Sequence, residues 1–197
     1  MSGTVLRLVS ARLLLTAAAV GMTSTAGATI ISYTAALSGL AEAPPNASPG
    51  TGFAIVDIDR DAHTMRVRVD FSGLIGNTTA SHIHGATAVP GAGTAGVMTT
   101  TPTFADFPLG VTAGSYDRLL DMTLTSSYNP AFLTAHGGTP ATAEADLWLY
   151  LHQGRTYLNV HSTAFPGGEI RGFLVPAPGA AALLGLGGLF AMRRRRN

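Results

Sequence analysis

Thr64-Met-Arg-Val-Arg-Val-Asp-Phe71 is the stretch whose reading decides the fold. Successive side chains of a strand point to opposite faces, so an unbroken two-residue alternation marks a half-buried strand. Met65, Val67, Val69 and Phe71 fall on one face, and Arg66, Arg68 and Asp70 on the other. Gly52 to Ile58 alternates in the same way, with Phe53, Ile55 and Asp57 on one face and Ala54, Val56 and Ile58 on the other. Asp59-Arg60-Asp61-Ala62-His63 between the two runs is polar and turn-like, so they are expected to form a hairpin. Asp57, Asp59 and Asp61 imitate the opening of a calcium loop. Such a loop also needs Gly at its sixth position and Glu at its twelfth, where this chain has Ala62 and Arg68.

Outward from the hairpin, Thr29 to Leu40 alternates around Tyr33, Ala35 and Leu37 and reads as a first strand, followed by a Pro44-Pro45 crossover. Thr79 to Gly85 is a short strand. Ala86 to Pro102 is a long run of small residues, with Val97 to Thr101 as a strand inside it. Tyr116 to Thr125 reads as strand or short helix, and Ala131 to Thr139 as a short helix closed by Gly137-Gly138. Pro140 to Gln153 reads as helix at its start and strand at its end. Tyr157 to Ser162 and Ile170 to Val175 complete the strands. Short strands separated by Gly, Pro, Asn and Asp turns predict a mainly β fold. The expected form is a single antiparallel β-sandwich or barrel, immunoglobulin- or superoxide-dismutase-like, with one or two short helices.

The two ends read differently. Arg7 and Arg12, an apolar run from Leu13 to Val20, and the small-residue site Ala26-Gly27-Ala28 make a secretory signal helix, with cleavage expected after Ala28. Residues 176–197 contain Pro176 and Pro178, then an apolar helix over Ala180 to Met192, then Arg193, Arg194, Arg195 and Arg196. An apolar helix ended by clustered arginines is a stop-transfer pattern. The tail resembles the PEP-CTERM sorting signal of Gram-negative bacteria, with Ala177 where that signal usually has Glu. The resemblance implies an exosortase-type sorting protease as partner and transient anchoring in the inner membrane. Delivery to the cell surface or extracellular matrix would follow, with a surface or matrix polymer as a further partner. The expected division is 1–28 signal peptide, 29–175 β domain and 176–197 sorting signal.

Without the two ends the charge reverses. The whole chain is +1. Residues 29–175 hold six arginines against eleven carboxylates, a net of −5, and no lysine. An acidic domain of this kind argues against nucleic acid as a partner. Cysteine is absent, so disulfides contribute nothing and stability must come from a core or a metal.

Ser81-His82-Ile83-His84-Gly85 carries the most suggestive chemistry. Positions i and i+2 of a strand share a face, so His82 and His84 present two imidazoles together. His161 lies on a later strand. Three neutral imidazoles suit Zn or Cu, which makes His82, His84 and His161 the candidate metal ligands. The competing reading is that these histidines hydrogen-bond the loops they border and bind nothing. A His-x-His on an exported β-sandwich is similar to the copper-zinc superoxide dismutases, but the cysteines of that pattern are missing. Tyr157 and Asn159 share the strand face of His161 and are candidates to orient it. Glu169 and Arg171 are one residue apart and expected either to pair with each other or, for Arg171, to reach Glu42. With Tyr157 and Asn159 they form a candidate structural polar network. Gly-x-Ser-x-Gly, His-Glu-x-x-His, a phosphate loop and a Cys nucleophile are all missing, so no catalytic residues are assigned and the chain reads as a non-enzyme.

Leu37-Ser-Gly39, Glu42 with Pro44-Pro45, Ser81-His-Ile-His-Gly85, and Tyr157-x-Asn-Val-His161 followed by Phe165-Pro-Gly-Gly-Glu-Ile-Arg-Gly172 resemble the CHRD (chordin-type) domain. The resemblance runs from about Ile31 to Leu174. It implies a compact antiparallel β domain of secreted bacterial proteins, with no established enzymatic activity.

Overall fold

The computed structural model describes residues 30–178. The expected signal peptide with Ala26 and Ala28, the expected apolar tail helix and Arg193 to Arg196 lie outside the described residues. The expected hairpin is present as β2 (Thr51–Asp59) and β3 (Thr64–Ser72), paired antiparallel along their whole length. Ala54, Val56 and Ile58 of β2 and Met65, Val67, Val69 and Phe71 of β3 are buried on one shared face. Asp59 Oδ1 accepts from the backbone N–H groups of Asp61 and Ala62, so this carboxylate caps the turn between the strands. β1 (Ile30–Ser38) adds to β2 and buries Tyr33, Ala35 and Leu37 on the same side.

The remaining strands are β4 (Thr78–His84), β5 (Gly114–Asp121), β6 (Tyr157–Ser162), β7 (Ile170–Phe173) and β8 (Val175–Pro176). All eight strands belong to one antiparallel sheet in the order β4-β6-β7-β1-β2-β3-β5, with β8 beside β1. The sheet curls into a half-barrel. Of the expected sandwich or barrel, the described residues form one sheet, a half-barrel whose end strands β4 and β5 do not pair with each other. What lies along β4 is the small-residue segment. Met98 N–H donates to Ile83 O, Phe104 N–H to Ser81 O and Gly110 N–H to Thr78 O. Thr99 and Thr103 hydroxyls accept from the Ile83 and Ser81 N–H groups. An edge strand must satisfy its free N–H and C=O groups, and here an irregular loop does so. The same loop drives Met98, Phe104 and Phe107 into the core. The strand expected at Val97–Thr101 is reduced to isolated bridges, His84 with Val97 and Thr99 with Tyr128.

The helices are α1 (Pro130–Ala135) and α2 (Pro140–His152), each with Pro in its first turn and a side-chain cap, Asn129 and Thr139. Gly137 and Gly138 follow α1 with φ of +87° and +75°, and the Gly138 N–H returns to Leu133 O. The expected strand at the end of 140–153 is absent, because the helix continues to His152. Glu144, Leu147, Trp148 and Leu151 are buried at helical spacing, while Leu149 faces out. Tyr116 to Thr125 resolves into strand β5 ending at Asp121. Pro176 stands in β8, paired with Tyr33 of β1, and Pro178 is the last described residue. Among the described residues, no helix is long and apolar enough to cross a membrane.

Candidate metal centre

β4, β6 and β7 lie side by side at one end of the sheet, and both of their faces are covered. Ser81, Ile83, Leu158, Val160 and Ile170 are fully buried from one side. The alternate positions, His82 and His84 of β4, Tyr157, Asn159 and His161 of β6, and Arg171 and Phe173 of β7, share the other. Register sets His82 opposite Asn159, His84 opposite Tyr157, Asn159 opposite Arg171 and Tyr157 opposite Phe173. Polar strands normally turn such a face to water. Here the loops around Glu42, Gly93–Ala95 and Pro166–Gly168 fold over it, so His82, His84, Asn159 and Arg171 are all buried.

The three candidate ligands converge. One ring nitrogen from each of His82, His84 and His161 lies within 4.8 Å of the others. The ring centroids are 5.3–5.9 Å apart. One ring N–H of each imidazole donates to a main-chain carbonyl. His82 Nε2 meets Pro102 O at 2.6 Å, His84 Nδ1 meets Ala95 O at 3.0 Å and His161 Nδ1 meets Pro166 O at 3.0 Å. A carbonyl only accepts, so each contact fixes the proton on the bonded nitrogen and leaves the other as a lone pair. The remaining nitrogens, His82 Nδ1, His84 Nε2 and His161 Nε2, are buried without a partner. The histidines do bond the bordering loops, and in doing so each frees one nitrogen for something else.

Burial pushes all three imidazoles below the ordinary histidine range, His84 to about 4. The carbonyl contacts work against that shift, while the neighbouring imidazoles and Arg171 add to it at His84. At neutral pH the cluster is uncharged, the protonation state a metal ligand requires. Among the described residues no fourth His, Cys, Asp or Glu joins the three.

The surrounding polar residues divide into two groups. Arg171 donates through Nε to Ala41 O and through Nη1 to Gly93 O, and its guanidinium lies 4.7 Å from the Tyr157 ring centroid. Tyr157 is stacked on His84 at 4.8 Å and 6°, and its hydroxyl contacts Ala95. Tyr157 thus supports His84 and the loop that orients it. The expectation that Tyr157 and Asn159 orient His161 by hydrogen bonding is corrected, because Pro166 O does so. Asn159 Oδ1 is left without a partner. Arg171 reaches Glu42 rather than Glu169, at 3.7 Å. Its N–H groups are turned to the loop carbonyls, so Glu42 Oε1 has no donor, and burial pushes Glu42 up to about 7 despite the nearby guanidinium.

Glu169 belongs to the second group. It accepts from the Ser48 hydroxyl at 2.6 Å and from the backbone N–H groups of Ile75 and Gly76. Burial opposes the charged form, but these hydrogen bonds and one from Ser162 hold its carboxyl below the usual range. Glu169 ties the strand β7 entry to the loops at 46–50 and 74–76. Gly168, with φ +134°, has no room for a Cβ, which would lie 2.4 Å from Asn159 Nδ2. Sequence reading missed Ser48, the Ile75–Gly76 amides and the three carbonyl acceptors. Main-chain acceptors leave no mark in a sequence. Ser48 lay in a loop with nothing to distinguish it.

A family model described as the CHRD domain matches residues 33–174, well over half of the chain. No curated protein and no solved structure matches it.

Proposed function

The chain belongs to the CHRD domain family, and on that premise we propose that it is an exported, non-catalytic metal-binding protein holding one Cu or Zn ion on His82, His84 and His161. The observation that carries the reading is the convergence of one nitrogen from each of three neutral imidazoles within 4.8 Å, with a ring nitrogen of each bonded to a carbonyl. That outer set of bonds is the usual device for orienting metal-bound histidine. An unfilled cluster would leave three buried lone pairs without partners, an arrangement that costs free energy at every site. Export is supported by the signal-like residues 1–28 and by the sorting-like tail at 176–197. An exosortase-type protease would process that tail, and the domain would end at the cell surface or in the matrix. A role there without metal, as a surface or matrix component, is the second reading, supported by the same two ends.

The experiment is fractionation of expressing cells followed by elemental analysis of the exported protein. The expected result is Cu or Zn near one ion per chain in the envelope or medium. A ligand that binds only the folded state at 100 times its Kd stabilises it by about 2.7 kcal/mol, so added metal should raise the melting temperature of stripped protein. His161→Ala should abolish that shift. Protein confined to the cytosol would overturn the export reading. Exported protein with no metal and no thermal response would leave only the second reading.

A further inference from the structure

We propose that the ion on the three histidines takes a small exogenous anion, of the carboxylate or azide type, as its fourth ligand, and that Arg171 favours that anion. The inference rests on the three-histidine reading. Three imidazoles are neutral donors, so a divalent ion held by them keeps its whole charge. Zn in a tetrahedral site and Cu in a tetragonal one both require at least one more ligand. Among the described residues no carboxylate or thiolate supplies it. His82 and His84 are buried, and His161 is partly so.

A fixed positive charge stands behind the cluster. Arg171 is 4% exposed and continues a stack that runs from its guanidinium to the Tyr157 ring at 4.7 Å, and from Tyr157 to the parallel His84 ring at 4.8 Å. Its carboxylate counterpart, Glu42, stands 3.7 Å away and is only partly ionised at neutral pH, since burial pushes it up to about 7. A dication and a buried guanidinium with an incomplete counter-charge together favour an anion, and burial strengthens that preference relative to water. The competing fourth ligand is Asn159 Oδ1, unpartnered and in register with His82. It would close the site with a neutral oxygen.

The test is a titration of the Cu(II)-loaded full chain with azide, followed by acetate. The expected result is a saturable ligand-to-metal charge-transfer band that acetate displaces. Arg171→Gln should weaken azide binding to the copper-loaded protein about tenfold, and Arg171→Lys should restore most of it. Copper binding with a spectrum blind to azide would overturn the anion and point to closure by Asn159, while leaving the metal reading intact. Absence of both copper and zinc binding would overturn the metal reading and this one with it. Equal azide affinity in the wild type and Arg171→Gln would remove Arg171 from the proposal. If Arg171→Gln does not fold, the wild-type titration still decides the presence of the anion.

Discussion

On the β2–β3–β5 side of the sheet the outward side chains pair with one another, mostly at the surface. Arg66 holds Asp117 through two hydrogen bonds, Arg68 meets Asp57, and Ser115 donates to Asp70. On the β4–β6–β7 side the outward side chains are His82, His84, Tyr157, Asn159, His161 and Arg171, under three loops. The strands are built on the same alternation in both places. The difference is the cover. Exposed pairs are screened and tie down little, whereas covered polar groups sit in a medium where each missing partner is costly. The covered face leaves three ring nitrogens, an amide oxygen and a carboxylate oxygen unpaired.

The largest test of this contrast removes a satisfied group from the covered side. Glu169→Ala should destabilise the domain by about 4 kcal/mol, because the Ser48 hydroxyl and the Ile75 and Gly76 amides lose a charged acceptor inside the protein. Glu169→Gln keeps one acceptor oxygen and should cost roughly half as much. Urea unfolding at pH 7 measures both. A change below about 1 kcal/mol for Glu169→Ala would mean that the covered face is no more demanding than the exposed one.

Much of this could be read before any coordinates, and the reasons are local. The faces of β1, β2 and β3 follow from two-residue alternation, as Met65, Val67, Val69 and Phe71 show. The shared face of His82 and His84 follows from the same rule. Placing His161 beside them required the pairing of β4 with β6, a contact across nearly eighty residues that no periodicity announces. The end of α2 misled because Leu147-Trp-Leu-Tyr-Leu151 fits strand and helix alike, and only burial at 144, 147, 148 and 151 separates them. The open sheet misled for a different reason. Its β4 edge is covered by a loop of small residues whose hydrogen bonds come from threonine hydroxyls and main chain, so nothing in the pattern marks it as part of the wall.

The second test uses pH on metal-free protein. His84 is at about 4 when folded against an ordinary 6.5, so over that interval the unfolded chain holds a proton that the folded chain does not. Its contribution to stability is present above 6.5 and lost as pH falls through 4, and His82 and His161 act in the same direction. Glu42 runs the other way. Its folded value of about 7 exceeds the ordinary 4.5, so its contribution is full below 4.5 and lost as pH rises through 7. Between pH 4.5 and 6.5 the two slopes oppose each other. Glu42→Gln removes one of them, so on going from pH 6.5 to 4.5 the variant should lose about 2 kcal/mol more than the wild type. Denaturant curves at three pH values check this. Parallel profiles would mean that Glu42 titrates normally and that its unpaired oxygen finds a donor.

The smallest expected effect belongs to the exposed wall, and it is the control that gives the others meaning. Asp117→Asn keeps the shape of the side chain and removes the charge that meets Arg66, whose guanidinium loses a bidentate partner at 2.6–2.7 Å. This bidentate pair is closer and better aligned than Arg171 with Glu42 at 3.7 Å. If geometry alone decided stability, Asp117→Asn would be the more damaging change. Because both partners are about half exposed, water replaces what is lost, and the melting temperature should stay within about 2 °C of the parent. A drop as large as that of Glu169→Ala would reverse the argument. It would place the strength of this sheet in its solvent-facing pairs, and the covered face would lose its claim to be the exceptional one.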